Sequence, residues 1–212
     1  MARLKPRDVF VNCPFDDAYQ PLFRAILYAV IRSGYRVRCA LEADNAGTNR
    51  INKILDIIAE CKFGIHDISR TELDAASNLP RFNMPFELGL FYGAHHYGGM
   101  GQKAKVFIIF DTEKFRFQKF ISDIAGVDVR AHDGETRQIL SKLSEWFRLQ
   151  SKAAAIVPGG VQMASEFNDF NATLPKLCAA RKLKESEITF FDLNTMMTEF
   201  VGMLTEVADN RP

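Results

Sequence analysis

Short apolar runs alternate with amphipathic stretches along most of the chain. "DVFVNC" (8–13) is a compact apolar run closed by a Pro-Phe turn. Residues 19–33 then repeat apolar side chains with the helical period and stop at Ser33-Gly34, a C-cap signal. "RVRCALE" (36–42) alternates at Val37, Cys39 and Leu41, as a half-buried strand does. After the polar loop "ADNAGTNR", "INKILDIIAEC" (51–61) gathers Ile51, Ile54, Leu55 and Ile58 on one helical face. "KFGIHDIS" (62–69) predicts a third strand, a long loop fills 69–83, and a helix follows over about 84–97. "AKVFIIF" (104–110) is a nearly unbroken apolar run, the mark of a central strand buried on both faces. "GVDVRAH" (126–132) predicts a fifth strand, and 135–149 predicts a helix carrying Leu140, Leu143, Trp146 and Phe147.

Strands alternating with helices define an α/β fold: a flavodoxin-like, doubly wound parallel sheet of about five strands. The expected strand order is 2-1-3-4-5, which puts a topological switch point between strands one and three. "VPGG" (157–160) punctuates the chain, and beyond it 161–178 and 189–207 read as helices with no strand between them. Residues 1–156 are therefore expected to form the α/β domain, with 157–212 a helical extension packed on it. Five of the 18 phenylalanines lie in that extension, namely Phe167, Phe170, Phe190, Phe191 and Phe200. Their apolar face gives the expectation of a homodimer or larger assembly.

Composition adds mostly exclusions. The 212 residues carry a net charge of +1, which draws the chain neither to nucleic acid nor to an anionic membrane. The longest apolar runs fall well short of the ~20 residues that a membrane span needs. The N-terminal "MARLKPRDVFVNCP" has basic residues but no long apolar segment, so no signal peptide is expected. Cys13, Cys39, Cys61 and Cys178 show no CxxC spacing, and His66, His95, His96 and His132 show no HExxH spacing. Reduced thiols in a cytoplasmic protein, with no metal and no cofactor, are the expectation.

Candidate chemistry follows from topology. Open parallel sheets bind ligands beyond the carboxyl ends of their strands. That edge collects Asn12, Cys13, Pro14 and Phe15 after strand one, Asp44, Thr48 and Arg50 after strand two, and Asp67, Ser69 and Arg70 after strand three. Arg81 and Asn83 lie just before the next helix. In "NMPFELGLFYGA" (83–94), Glu87 is the only charged residue, and it shares its helical stripe with Leu90, Phe91 and Ala94. A glutamate on an apolar stripe is either half of a structural ion pair, with Arg70 or Arg81 as partner, or a working carboxylate. In the first turn of a helix the backbone dipole favours its charge while apolar surroundings oppose it. Such a group attacks a sugar carbon or stabilises a sugar cation. Arg50, Arg70, Arg81 and Arg116, unless spent on Asp44, Glu72, Asp74 and Asp111, suit phosphate.

The segments "VFVNCPF", "CKFGIHDIS" and "FELGLFYGA", followed by "AKVFIIF", resemble the core of the nucleoside 2-deoxyribosyltransferase family over about residues 8–111. The resemblance implies that Glu87 is the nucleophile on the anomeric carbon. It also implies that Asp67 assists at the base or sugar and that Asn12 to Phe15 line the pocket. Met84-Pro85-Phe86 stand where members often have small residues. The pattern is similar as well to TIR-like NAD hydrolases, which cleave a glycosidic bond with a glutamate on a comparable sheet. That resemblance implies NAD as substrate and a role in bacterial antiphage defence. The expected function is thus cleavage or transfer of the N-glycosidic bond of a nucleotide or NAD-like molecule. The alternatives from other classes are a non-catalytic nucleotide sensor and a structural subunit.

Overall fold

The structure is a computed structural model that describes residues 3–42, 47–74, 77–150 and 157–209. In chain order its elements are β1 (Lys5–Asn12), α1 (Gln20–Arg32), β2 (Arg36–Arg38), α2 (Arg50–Glu60), β3 (Cys61–Asp67) and α3 (Asn83–Tyr97). They continue with β4 (Val106–Asp111), β5 (Val129–Ala131), α4 (Thr136–Gln150), α5 (Gly160–Ala180) and α6 (Phe190–Asp209). All strand pairings are parallel, and the order is β2-β1-β3-β4-β5. This is the flavodoxin-like α/β architecture, with the chain reversing direction across the sheet between β1 and β3.

Strand parity sorts the core into two layers. Val9, Val11, Phe63, Ile65, Ile108 and Phe110 face α1 and α4. Phe10 faces the opposite layer with Ile54, Ile57 and Ile58 of α2 and Phe91 of α3. The C-terminal helices join the first layer. Met163, Phe167, Phe170, Leu174, Met196, Met197 and Phe200 share one continuous cluster with α1 and α4. Arg32 of α1 pairs with the buried Glu166 of α5 at 2.7 Å. Of the tail phenylalanines named above, Phe167, Phe170 and Phe200 are therefore buried within the chain, and only Phe191 is largely exposed. The apolar face that suggested an assembly is mostly used up inside one copy. No described helix is long and apolar enough to cross a membrane.

Several boundaries differ from the sequence pattern. Strand two ends at Arg38, and Ala40–Glu42 form a tight helical turn. The cause is Glu42, whose carboxylate accepts from the Cys39 amide at 3.0 Å and pairs with Arg38 four residues back at 2.7 Å. Leu41, expected in the strand's apolar alternation, is exposed as a result. The first helix after β3 opens at Asn83, so Glu87 is its fifth residue and lies beyond the first turn, where it was expected.

Candidate active site

The carboxyl edge of the sheet is polar and buried. Asn12 ends β1 with its side chain on the α2–α3 layer. One of its Nδ2 hydrogens reaches Nδ1 of His66 at 3.1 Å and the other the backbone oxygen of Met84 at 2.8 Å. These bonds tie β1, β3 and the start of α3 together. Met84 and Glu87 stand about one helical turn apart, which brings the glutamate to the same place.

Glu87 is 7% exposed. Among the described residues its carboxyl group has no hydrogen bond and no ion pair. Arg70 is bound to Asp16, and Arg81 to Asp74 at 3.3 Å, so neither candidate partner reaches it. Burial pushes its pKa up to about 7, and Arg50 is the charge that opposes the rise. Arg50 is exposed at the start of α2, a helix capped by Asn49, whose side chain accepts from the Ile51 amide at 3.2 Å.

Asp67 lies across the sheet from Glu87. It follows Phe63 and Ile65 in parity, so it faces the α1–α4 layer, while Gly64 and His66 face α2–α3. Its Oδ1 accepts from the Ser69 amide at 2.8 Å, and its Oδ2 accepts from the Tyr19 hydroxyl at 2.5 Å. Nε2 of His132 also stands 3.1 Å from Oδ2, outside hydrogen-bonding angles. The Gly134 amide donates to Nδ1 of His132 at 2.9 Å, so Nε2 carries the proton. Asp67 is fully buried and has no oxygen open to a ligand in this arrangement. The expectation that Asn12, Asp67 and Glu87 share one crevice is corrected to this extent: the first and last share a face, and Asp67 belongs to the other. The faces meet at Cys13. Its thiol pKa is raised by burial first, then by Asp67, Cys39, Glu87 and Asp16.

The other expected site residues separate further. Pro14 is buried, whereas Phe15 turns away, packing edge-on against Phe23 of α1 at 5.3 Å. Ser69 is buried, its amide spent on Asp67 and its carbonyl on Arg116. Arg116 also pairs with Asp111 and donates to Thr71 at 2.7 Å. Thr48, Arg81 and Asn83 are exposed. Asp44 lies outside the described residues. Arg70 and Arg81 line a cavity of about 450 Å³ with Asp16, Asp17, Glu72 and Asp74. Glu87 does not line it. Of the four arginines suited to phosphate, three are in ion pairs, which leaves Arg50 as the free cation among the described residues.

Three polar residues of this edge, Tyr19, His66 and His132, belong to no sequence motif, and the spacing of the histidines speaks only to metal binding. The sequence signal for His66 is parity in "KFGIHD", where Gly64 two residues earlier leaves room for a ring on the same face. No protein-family model matches the chain, and no curated protein or solved structure matches it either.

Proposed function

We propose that the protein cleaves or transfers the N-glycosidic bond of a nucleotide, with Glu87 as the working carboxylate. The observation that carries this reading is a buried carboxyl group with no hydrogen bond or ion pair among the described residues, at the switch-point edge of a parallel sheet. Leaving an ionisable group unpaired in the interior costs stability, so a fold gains nothing from it. Perturbed groups of this kind concentrate at functional sites. A pKa of about 7 leaves an appreciable ionised fraction at neutral pH.

In the proposed reaction the Glu87 carboxylate adds to C1′ as the C1′–N bond breaks. The base leaves with the bonding electron pair: the cationic nicotinamide of NAD departs neutral, whereas a base such as cytosine must also take up a proton. Water then attacks C1′, gives up one proton (to solvent or, in effect, to the departed base) and restores the carboxylate, leaving the ribosyl product with a hydroxyl at C1′; a second base in place of water gives transfer. Arg50, in no ion pair among the described residues and close enough for its charge to favour the ionised form of Glu87, supports a phosphorylated substrate over a free nucleoside. Asp67 enters only through its neighbours on the opposite face: it accepts from the Tyr19 hydroxyl, and His132 stands beside it. Among the described residues no other group is placed to assist the leaving base, which suits a substrate whose base departs readily, such as the cationic nicotinamide of NAD.

The engagement of both Asp67 oxygens favours one competing reading, a nucleotide sensor without turnover. Incubation with NAD, dCMP and other nucleotides, followed by chromatography of the products, separates the two. The enzyme reading predicts base release that Glu87→Gln abolishes. Binding without release from any nucleotide establishes the sensor.

A further inference from the structure

His66 presents a puzzle of a different kind. It is fully buried among Phe10, Phe91 and Phe107, with ring centroids 5.8, 5.0 and 6.1 Å away. A Cβ on Gly64 would come within 2.7 Å of its Nε2, so glycine there makes the seat for the ring. Asn12 offers Nδ1 an amide hydrogen at 3.1 Å, and an amide nitrogen cannot accept. Nδ1 is therefore the acceptor and Nε2 carries the proton. That Nε2 is sealed from solvent and has no hydrogen-bond partner among the described residues. A phenylalanine or leucine would fill this aromatic pocket without burying an orphaned N–H, which is costly. What the imidazole contributes that they do not is one acceptor, aimed at Asn12.

That acceptor acts with the Met84 carbonyl to fix which way the Asn12 amide points. With one N–H on His66 and the other on Met84, the NH₂ end is saturated, and the amide cannot flip without losing both bonds. No described residue donates to the Asn12 oxygen. Asn12 is 2% exposed, and its oxygen is not among the sealed atoms without a partner. The NH₂ end meets Met84 in the first turn of α3, about one helical turn before Glu87.

We infer that His66 is a positioning residue that fixes Asn12 with its Oδ1 toward the cleft, where it accepts a hydrogen bond from a hydroxyl of the substrate's sugar. This rests on the reading of Glu87 as the group that works at the sugar carbon. A carbonyl acceptor on the same face as a carboxylate that meets C1′ faces the sugar, and a sugar presents hydroxyl donors. Such bonds strengthen as positive charge develops on the ring.

The test compares wild type, His66→Leu and His66→Asn. Nitrogen-15 spectra report the imidazole tautomer and the Asn12 side-chain amide, and calorimetry and steady-state kinetics use NAD and dCMP. The inference predicts an unprotonated Nδ1 in wild type. His66→Leu should fold with equal or greater stability but bind the nucleotide roughly tenfold more weakly, with kcat reduced as well. His66→Asn, whose amide oxygen can stand near the position of Nδ1, should recover most of the loss. A merely structural histidine gives the opposite pattern: His66→Leu loses stability and keeps its affinity. A protonated Nδ1, or unchanged nucleotide affinity and kinetics in His66→Leu, overturns the inference. If wild type binds NAD or dCMP but releases no base, the Glu87 reading fails alone, while the tautomer and the affinity loss in His66→Leu still decide the role of His66.

Discussion

A carboxyl group whose folded pKa is near 7 against an ordinary value of 4.5 makes stability depend on pH in a definite direction. Below pH 4.5 Glu87 is protonated in both folded and unfolded chains, and its burial carries no charge penalty. As pH rises towards 7 the unfolded chain ionises freely while the folded one resists, so this residue's contribution to stability is lost and levels off above 7. The full loss is about 3 kcal/mol. Glu87→Gln should therefore be more stable than wild type at pH 8, with the gap closing by about pH 4.5. Urea denaturation at the two pH values measures it; equal stabilities at pH 8 contradict the burial of an unpaired carboxylate. In catalysis the ionised form is the useful one, so kcat/KM should rise with pH through a limb near 7. Arg50→Ala removes the charge that favours ionisation and should move that limb to higher pH. A profile that falls through the same range would make Glu87 a proton donor.

At the level of elements, the short edge strand β2 is held by charge more than by pairing length. Arg38 binds Glu42, Asp8 and Glu60, at 2.7, 2.9 and 2.9 Å, and Asp8 is buried. Replacing Arg38 with alanine leaves that carboxylate with only the half-exposed Arg36 and should cost roughly 2–4 kcal/mol, seen as a lower urea midpoint. A loss below about 0.5 kcal/mol would make the network a surface ornament. The same network explains where sequence pattern failed. Alternation at Val37, Cys39 and Leu41 is the period of a strand, but the Glu42 side chain ends it by capping Cys39, a contact that apolar periodicity does not encode. By contrast, the order of the five strands was legible, because apolar runs separated by helices admit few right-handed arrangements. Glu87 was legible from its stripe. Its separation from Asp67 was readable in principle, since it follows from counting residues along "KFGIHD". The ion pairs of Arg70 and Arg81 with Asp16 and Asp74 depend on loop paths that no local pattern specifies.

For the whole molecule, α5 and α6 are part of the core they cover. Met163, Phe167, Phe170, Met196 and Phe200 pack into the cluster built on α1 and α4, each buried side chain of this size contributing roughly 1.5–3 kcal/mol. Unfolding should be a single cooperative transition, the same by far-ultraviolet circular dichroism and by the fluorescence of Trp146, which borders that cluster. Two separated transitions would show that the C-terminal helices fold on their own. This arrangement leaves the opposite layer, between α2 and α3, to present Asn12 and Glu87 at the sheet edge. The proposed reaction depends on Glu87, and base release from NAD and dCMP by wild type and Glu87→Gln, measured by chromatography under single-turnover conditions, tests it most directly. The prediction is release by wild type and a loss of a hundredfold or more in the variant, on the order seen when a preorganised charge is removed from a reacting centre. A Glu87→Gln protein that stays folded and releases base at the wild-type rate would contradict it.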